Sequence, residues 1–594
     1  MSHRGLTGRS GDDAVPADPV GEAFRTWLRC CAVAGWKPEL GVETVSVGEA
    51  RGRVTDRAVP ARWSVPAYRA AAMDGIAVAA RDLPDGYPGR LHRPAFTRVD
   101  TGDPVPDEAD TVIMREHLTF SGDGSVEIHT RPTHGRHVRP IGEDVTAGAI
   151  VLPEGHRVRA VDVAVLAAAG HLSMTVRRRP TVAILPTGDE IKPLGTALRP
   201  GEILDTNSLM LAALLRDAGC GVLALPITPD VPARIGSALA DAANRADVVL
   251  VIAGSSAGRD DHTRSVIDQL GRVAVHGVAM RPGHPVILGV LGGEFPDDTR
   301  GRPAAPAVPV IGMPGYPASA ERAFHCFLRP LIRRILDGGT PPTADHAVAV
   351  MLACAVTSPV DIDEYLRVRL ARVIDPRTAE EHLVAVPLPR GAGALSTMAQ
   401  AEAILRIPAG TAGIASGTAV RAVPVDGAAF GAGTTLIAGS PTPATKALAQ
   451  VHRADLAACV LHWSDLPPAQ ALDALAAGLC HAAALALPAN GSRPSEESAA
   501  AMAARLGPIT VLEIARIGDL VEVLVVPAVA FDSRPVEGLR GTLNAMAFRQ
   551  RLRDSGDYLS RSTGRETWHG PSTERADKPG SDTSGNGAAQ CATR

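Results

Sequence analysis

The sequence predicts a multidomain α/β protein built around a doubly wound sheet. Residues from about 180 to 337 alternate apolar strand-like runs with amphipathic helices, the pattern of a parallel sheet covered on both faces. The chain has 594 residues, a length that predicts about four domains at ~150 residues each. Hydrophobic residues make up 45% of it and charged residues 21%, as in folded globular proteins.

Composition and charge exclude several classes of protein. Lys and Arg total 60 and Asp and Glu total 64, a net charge of −4 without a basic block, so no nucleic-acid partner is expected. The apolar runs are too short to cross a bilayer and the N-terminal residues lack an apolar signal core. We therefore expect a cytoplasmic protein with no membrane partner. The eight cysteines contain no C-x-x-C pair, which argues against a zinc module.

Changes in composition along the chain predict the domain boundaries. Both ends are polar and lack periodicity, and short strand-like runs such as GIAVAA and TVIMRE precede the α/β domain. A second β-rich stretch follows, and the glycine-rich stretch FGAGTT then has the composition of a linker. The predicted divisions are disordered tails at 1–20 and 555–594, an N-terminal and inserted β-rich region at 21–179, the α/β domain at 180–337, a β domain at 338–428 and a further α/β segment at 433–554.

Within the α/β domain, strand and helix patterns alternate from the start. The predicted order is a strand in TVAILPTG, a helix in SLMLAALLRDAG, a strand in GVLALPIT, a helix in VPARIGSALADAANRA, a strand in ADVVLVIAGSS and a helix in DDHTRSVIDQLG. Ligands of such domains bind at the carboxyl ends of the strands, where the loops here carry PTGDE, TPD and AGSSAGRDD.

Two turns of small residues follow predicted strands and precede predicted helices. The first contains Gly254, Ser255, Ser256 and Gly258, and the second contains Pro314 and Gly315. Small side chains let backbone N–H groups approach a phosphate at the start of a helix. Such turns also occur for packing alone, so both interpretations stay open.

Acidic residues lie at the same strand ends. Asp189 and Glu190 follow the first strand, Asp230 follows the second, and Asp260 and Asp261 follow the third. Carboxylates beside a phosphate loop are suited to holding a divalent cation that bridges to the phosphate. The alternative is that one of the last pair caps a helix.

A turn with two basic groups lies downstream. Arg281 and His284 are three residues apart in a Pro/Gly turn, which suits an anion, although a plain basic turn is the simpler interpretation. Composition and spacing alone favour an enzyme that acts on a phosphorylated small molecule with Mg²⁺.

Eight motifs occur in order between about residues 20 and 425. They are AAMDGIAVAA, DTGDPVPDEADTVIMRE, VRPIGEDVTAGAIVLPEG, PTGDEI, GEILDTNS, AGSSAGRDDHT, VHGVAMRPGHP and GMPGYPASA. In this order they resemble the motifs of the MoeA/gephyrin family of molybdenum insertases. The resemblance implies a MoaB/MogA-like α/β domain, an inserted β-rich domain and a C-terminal β-barrel-like domain.

The same resemblance implies an activity. The family receives adenylylated molybdopterin, inserts molybdate at the dithiolene and releases AMP with the help of Mg²⁺, which yields molybdenum cofactor. It also implies a homodimer whose cleft lies between the α/β domain of one subunit and the inserted β domain of the other. A molybdopterin adenylyltransferase and a molybdoenzyme acceptor would be its protein partners.

The family's functional residues carry over motif by motif. The catalytic residues would be Asp74, Thr101, Glu190, Asp230, Asp261 and Arg281. Of these, Glu190, Asp230 and Asp261 would hold Mg²⁺. The substrate-binding residues would be Gly188, Asp205, Gly254, Ser255, Ser256, Gly258, His284, Pro314 and Gly315.

Two features of the chain keep other functions open. The chain has Arg281 and His284 where the family commonly has two lysines, and Gly277 where some members have another, so a non-catalytic molybdopterin-binding carrier is an alternative. Residues 436–488 resemble the start of a periplasmic-binding-protein-like domain, as in one subgroup of the family, but this domain is short. It would be either an oxyanion-responsive regulator, for molybdate or tungstate, or a degenerate appendage.

Overall fold

The chain forms two compact units. One comprises Val20–Val278 with Gly283–Pro342, and the other Met1–Pro19, Ala279–Pro282 and Thr343–Arg594. None of the helices in the part of the chain described below is long and apolar enough to cross a membrane. The computed structural model describes residues 18–253, 262–298, 305–337, 347–391, 393, 395–425, 431, 433–455, 460–490, 493–494, 496–554, 558 and 563–569.

The first unit begins with a helix and a β-rich region. Helix α1 (Pro19–Val33) is anchored by Trp27, whose buried indole N–H donates to the carbonyl of Gly289 at 2.7 Å. Helix α2 (Ala160–Ala168) lies just before the last strand of the β-rich region. Its strands are Val42–Ser46, Val59–Pro60, Ala70–Ala71, Gly75–Val78, Gly89–Leu91, Phe96–Val99, Thr111–Met114, Leu118–Phe120, Val126–Ile128, Val138–Arg139, Ile150–Leu152 and Ser173–Arg177.

Two three-stranded antiparallel sheets form the inserted part of this region. In one, Gly75–Val78 lies between Phe96–Val99 and Thr111–Met114. In the other, Val126–Ile128 lies between Gly89–Leu91 and Leu118–Phe120. The predicted mostly β character of the region is confirmed, because its short apolar runs become these strands.

A six-stranded sheet forms the α/β domain. Its strands are β1 (Thr181–Pro186), β2 (Gly221–Ala224), β3 (Val248–Ala253), β4 (Gly271–His276), β5 (Ile287–Leu291) and β6 (Val308–Pro314). Its helices are α3 (Asn207–Asp217), α4 (Pro232–Arg245), α5 (Thr263–Leu270), α6 (Pro317–Ala323) and α7 (Arg329–Asp337), with the π-helical turn Phe324–Leu328 between the last two. A short parallel pair, Ile191–Lys192 with Ile203–Leu204, lies between β1 and α3.

The strand order in this sheet is β2-β1-β3-β6-β5-β4. The first four strands are parallel, so the prediction of a parallel α/β domain is confirmed for them. Strands β4 and β5 instead pair antiparallel, because residues 277–286 between them form no helix that could return the chain for a parallel pairing. The order reverses beside β1, since β2 lies on one side of it and β3 on the other.

The second unit contains a small barrel. Its strands are β7 (Val348–Leu352), β8 (Asp363–Ile374), β9 (Glu381–Pro387), β10 (Ala403–Ile407) and β11 (Ala419–Pro424), with helix α8 (Leu395–Gln400). Neighbours run β8-β9-β7-β11-β10, and β10 pairs with β8 to close the ring. Met280–Arg281 adds to the edge of β8, and Val356–Thr357 pairs with Gly413–Ile414. The predicted barrel-like domain is confirmed.

A second α/β sheet follows the barrel in the same unit. Its order is β13-β12-β14-β16-β15-β17. The strands are β12 (Thr434–Ala438), β13 (Val460–Ser464), β14 (Ala482–Asn490), β15 (Ile509–Ile517), β16 (Leu520–Pro527) and β17 (Glu566–His569), with Arg493–Pro494 paired to β14. The helices are α9 (Pro443–Asp455), α10 (Pro468–Ala476), α11 (Glu496–Leu506), α12 (Arg534–Asn544) and α13 (Met546–Asp554). We call residues 433–569 the appended domain.

The barrel and the appended domain share one hydrophobic core. Val373, Val384 and Val386 of the barrel belong to the same buried cluster as Leu436 and Val523 of the appended domain. The side chain of Arg369 on β8 also donates to the hydroxyl of Thr434 at 2.7 Å. The expectation that FGAGTT is a linker to an independent domain is therefore wrong, because apolar faces on both sides of it are buried against each other.

Candidate functional site

The α/β sheet reverses its strand order at the carboxyl ends of β1 and β3, where open sheets bind ligands. Backbone hydrogen bonds connect neighbouring segments of the chain at this point. The backbone N–H of Thr187 donates to the carbonyl of Ile252 at 2.8 Å, and that of Gly188 donates to the carbonyl of Thr228 at 3.2 Å. The ends of β1 and β3 and the segment after β2 therefore meet at one edge.

Three of the predicted acids meet at this edge. The carboxylate of Asp230 accepts a hydrogen bond from the backbone N–H of Asp189, which leads directly into Glu190. Burial raises the pKa of Asp230, and the negative charges of Glu190 and Asp189 raise it further. Gly188 has a φ of +139°, and a β-carbon there would lie 2.8 Å from Oε2 of Glu190. Glycine therefore leaves room for that carboxylate.

The predicted metal site is only partly covered by the structure. Glu190 and Asp230 are near each other, whereas Asp261 lies outside the described residues, as do Gly254, Ser255, Ser256 and Gly258. Among the described residues, no group of three or more His, Cys, Asp and Glu side chains is arranged to hold a metal ion.

The start of α3 lies at the same edge and reveals a residue that the sequence did not single out. One carboxylate oxygen of Asp205 accepts the N–H of Ser208 at 3.0 Å, so this predicted binding residue caps the helix. The amide of Asn207 donates to the carbonyl of Gly315 at 2.7 Å and so holds the predicted Pro314–Gly315 turn. The run of polar residues after the strand in GEILDTNS was the available signal.

Two polar atoms beside this contact are buried and have no hydrogen-bond partner among the residues that the structure describes. They are Oδ1 of Asn207 and Oγ of Ser208. Asn207 is only 7% exposed, and burying an unpaired amide oxygen costs free energy. An unpaired buried group of this kind calls for an explanation, and a bound ligand would supply the missing partner.

Asp74 and Thr101 form a second predicted pair, in the inserted β domain. The backbone N–H and the hydroxyl of Thr101 both donate to Oδ1 of Asp74, each at 2.7 Å. These bonds lower the pKa of Asp74, and the charge of Arg115 adds to the effect. No described hydrogen bond or ion pair joins this pair to Glu190 or Asp230 within the chain.

The two basic residues of the Pro/Gly turn have different surroundings. Arg281 is exposed, and its backbone pairs with Glu364 at the edge of β8 in the barrel unit. The ring of His284 uses Nδ1 to bond the carbonyl of Val278 at 2.7 Å. Because a carbonyl only accepts, Nδ1 carries a proton and Nε2 is the nitrogen left for a ligand. A β-carbon at Gly277 would lie 3.7 Å from this ring.

In the appended domain, the chain's own groups occupy the amino end of α9. The hydroxyl of Tyr558 accepts from the backbone N–H of Ala444 and donates to the buried carboxylate of Glu522 at 3.3 Å. Thr442 donates to the other oxygen of Glu522 at 2.8 Å and accepts the N–H of Thr445 at 3.1 Å. The first backbone donors of the helix are therefore satisfied internally.

Comparisons with known proteins match most of the chain. Residues 19–170 match the model of the MoeA N-terminal region (domain I and II). Residues 183–334 match that of a probable molybdopterin binding domain, and residues 349–425 that of the MoeA C-terminal region (domain IV).

Individual relatives are similar to the chain over about half to two thirds of its length. Molybdopterin molybdenumtransferase 2 of Mycobacterium tuberculosis is 33% identical over 403 residues, which are 63% of this chain and 93% of that protein. Molybdopterin molybdenumtransferase of Haemophilus influenzae is 31% identical over 307 residues, 49% of this chain and 72% of that protein. The crystal structure of a molybdopterin biosynthesis MoeA protein from Pyrococcus horikoshii is 28% identical, with a TM-score of 0.56 over 68% of this chain and 98% of that one. The chain therefore belongs to the MoeA family.

Proposed function

We propose that the chain is a molybdopterin molybdenumtransferase, which inserts molybdate into adenylylated molybdopterin, releases AMP and yields molybdenum cofactor. The observation that supports this most is the meeting of Asp189, Glu190 and Asp230 at the switch point of the α/β sheet. Relatives that bear this name are 31% identical to the chain over 307 residues and 33% identical over 403 residues.

Glu190 and Asp230 fit a magnesium ion. Burial and the negative charge of Glu190 raise the pKa of Asp230. A divalent cation would relieve the repulsion between the two carboxylates, and Mg²⁺ prefers carboxylate oxygens as ligands. When bound, Mg²⁺ would supply positive charge opposite the phosphates of the substrate. Asp261 would be its third ligand, as the resemblance implies.

The remaining residues have separate parts in the proposal. Asn207 holds the Gly315 turn against the start of α3, and His284, when both ring nitrogens carry a proton, would donate from Nε2 to an anion. Arg281 keeps a permanent charge that suits an oxyanion. Asp74, kept ionised by Thr101, would act in the same site from the inserted domain of a second subunit.

An exposed apolar face supports the homodimer. Helix α2 contains a single polar residue, Asp162, and that residue is buried. On its outer side Val161 and Val165 are exposed, Leu172 beyond the helix is 85% exposed, and the exposed ring of Trp63 donates to the carbonyl of residue 168. A helix that is apolar on all sides is normally buried, and an uncharged face can meet its own copy across a two-fold axis.

Sedimentation tests this dimer. Val165→Glu should convert the dimer to monomers, because the face would bury an unpaired carboxylate. Val231→Glu, at an exposed valine that begins α4, should remain dimeric. A monomeric wild type, or a dimeric Val165→Glu variant, would contradict the proposed interface.

AMP release separates the enzyme from the carrier. Given adenylylated molybdopterin, molybdate and Mg²⁺, the purified chain should release AMP over many turnovers. Asp230→Asn should slow AMP release at least tenfold. The variant should unfold at the same temperature as wild type. Substrate that binds without AMP release would favour a carrier instead. Parallel reactions with tungstate would show which oxyanion the site takes.

A further inference from the structure

Tyr316 is an aromatic residue at the candidate site that none of the predicted roles uses. It follows Gly315 at the carboxyl end of β6, and it is 64% exposed, more than Trp63 at 53% or Tyr68 at 47%. An exposed tyrosine ring leaves a large apolar area in contact with water instead of packing it against another group. An exposed ring at the edge of a ligand site therefore has a contact surface to offer.

The backbone on both sides of this ring is fixed. The carbonyl of Gly315 accepts from the amide of Asn207 at 2.7 Å. The carbonyl of Tyr316 accepts the N–H groups of Ser319 at 3.0 Å and of Ala320 at 2.9 Å. Pro317 follows at once and restricts the backbone further. Two side-chain torsions are then the main freedom of the ring, so stacking on it would cost little conformational entropy.

The sheet sets the distance from this ring to the acids. Strand β6 pairs with β3, and β3 pairs with β1, so Tyr316 and Glu190 follow strands two positions apart at one edge. At about 4.8 Å between strands, the two strand ends are about 10 Å apart. A molecule with phosphates near Glu190 and a flat ring about 10 Å away would reach both.

We propose that Tyr316 stacks on a planar nitrogen heterocycle of the substrate. This rests on the proposed function, whose substrate joins a pterin and an adenine through phosphates. Bases stack on aromatic side chains without needing a specific hydrogen-bond pattern, so Tyr316 adds affinity and orients the ring, while Asn207 and Gly315 hold Tyr316 in place. Either heterocycle offers the same chemistry, and separate probes distinguish them.

Binding of two probes to the full chain tests the stacking. Calorimetry would measure the affinity for AMP and for pterin-6-carboxylate in wild type, Tyr316→Phe and Tyr316→Ser. We expect Tyr316→Ser to weaken one of the two roughly 5- to 160-fold, the range that base stacking supports. Tyr316→Phe should stay within twofold of wild type, and so should the control Met546→Ala, at a residue of α13 that is 85% exposed. Because the ring is exposed, all variants should unfold at the wild-type temperature.

The outcomes separate this inference from the proposed function. Weaker AMP binding assigns the adenine to Tyr316, and weaker pterin binding assigns the pterin. If Tyr316→Ser binds both probes as tightly as wild type, while wild type still releases AMP from the substrate, the stacking is wrong and the proposed function stands. If wild type binds neither probe and releases no AMP, both fail.

Discussion

The ionisation of Asp74 is controlled mainly by Thr101. Two hydrogen bonds from Thr101 lower its pKa, so its carboxylate stays charged to lower pH than an ordinary aspartate. Thr101→Val removes the hydroxyl bond and keeps the backbone bond, so the pKa of Asp74 should rise. We predict that the acid limb of AMP release then moves to higher pH. Thr101→Ser keeps the hydroxyl and should match wild type; identical acid limbs for Val and Ser would contradict this role of Thr101.

Two histidines, one buried and one partly buried, are expected to make the second unit sensitive to acid. Burial lowers the pKa of His481 to about 4, and its ring is held neutral because Nδ1 accepts from Leu436 while Nε2 donates to the carbonyl of Arg372. Burial and the charge of Arg369 lower the pKa of His462 to about 4. Below about pH 6.5, the ordinary pKa of histidine, both rings are protonated in the unfolded chain. In the folded chain they stay neutral until about pH 4, so acid favours the unfolded state.

We predict that the free energy of unfolding of this unit falls as pH drops from 6.5 toward 4. Above 6.5 the rings are neutral in both states and contribute no pH dependence. At pH 5 each ring should have lowered the free energy of unfolding by about 2 kcal/mol relative to pH 7. Urea unfolding at the two pH values would measure this loss. His462→Phe cannot titrate and should reduce the loss by about half. Equal stability of wild type at pH 7 and pH 5 would refute the assignment.

Single residues show where sequence reasoning reached the site and where it stopped. Glu190 and Asp230 were predicted together because both follow parallel strands, whose ends meet at one edge. Asp205 was predicted as a binding residue, yet its carboxylate caps α3. Asn207 was not singled out, because its partner Gly315 is 108 positions away and only the folded sheet brings them together.

The appended domain belongs to the same compact unit as the barrel. The strands β8 and β9 bury Val373, Val384 and Val386 against it. Each fully buried valine contributes about 1.5–3 kcal/mol, so exposing the three would cost several kcal/mol. We predict that ending the chain at Gly433 lowers the melting temperature of the barrel or prevents its folding. Ending it after residue 569 keeps every described strand and should melt as wild type. A chain cut at Gly433 with unchanged melting would show that the domains are independent.

Apolar periodicity predicted the elements better than their pairing. Each predicted strand and helix of the α/β domain is present, because continuous apolar runs and amphipathic spacing are local signals. The antiparallel pairing of β4 with β5 depends on whether the segment between them forms a helix. The core shared by the barrel and the appended domain depends on apolar faces that are far apart in sequence. Neither leaves a local pattern, and the glycines of FGAGTT suggested a linker instead.

Considered as a whole, the molecule has its predicted acids in two places. Asp74 and Thr101 lie in the inserted β domain, and Glu190 and Asp230 at the edge of the α/β sheet. Both places belong to the same unit, yet no described hydrogen bond or ion pair joins them within one chain. The central claim is that they complete one molybdenum-insertion site across two copies of the chain, which the apolar face of α2 would bring together.

Mixed dimers of Asp74→Asn and Asp230→Asn subunits test this claim most directly. Each variant alone should be folded and nearly inactive. In the mixed dimer one site carries both substitutions and the other carries neither, so AMP release should return to about half of the wild-type rate per dimer. A wild-type subunit paired with the double variant should stay inactive, because each of its sites keeps one defect. If the mixed dimer of the single variants remains inactive while that control pair retains half the activity, the site lies within one chain and the account is wrong.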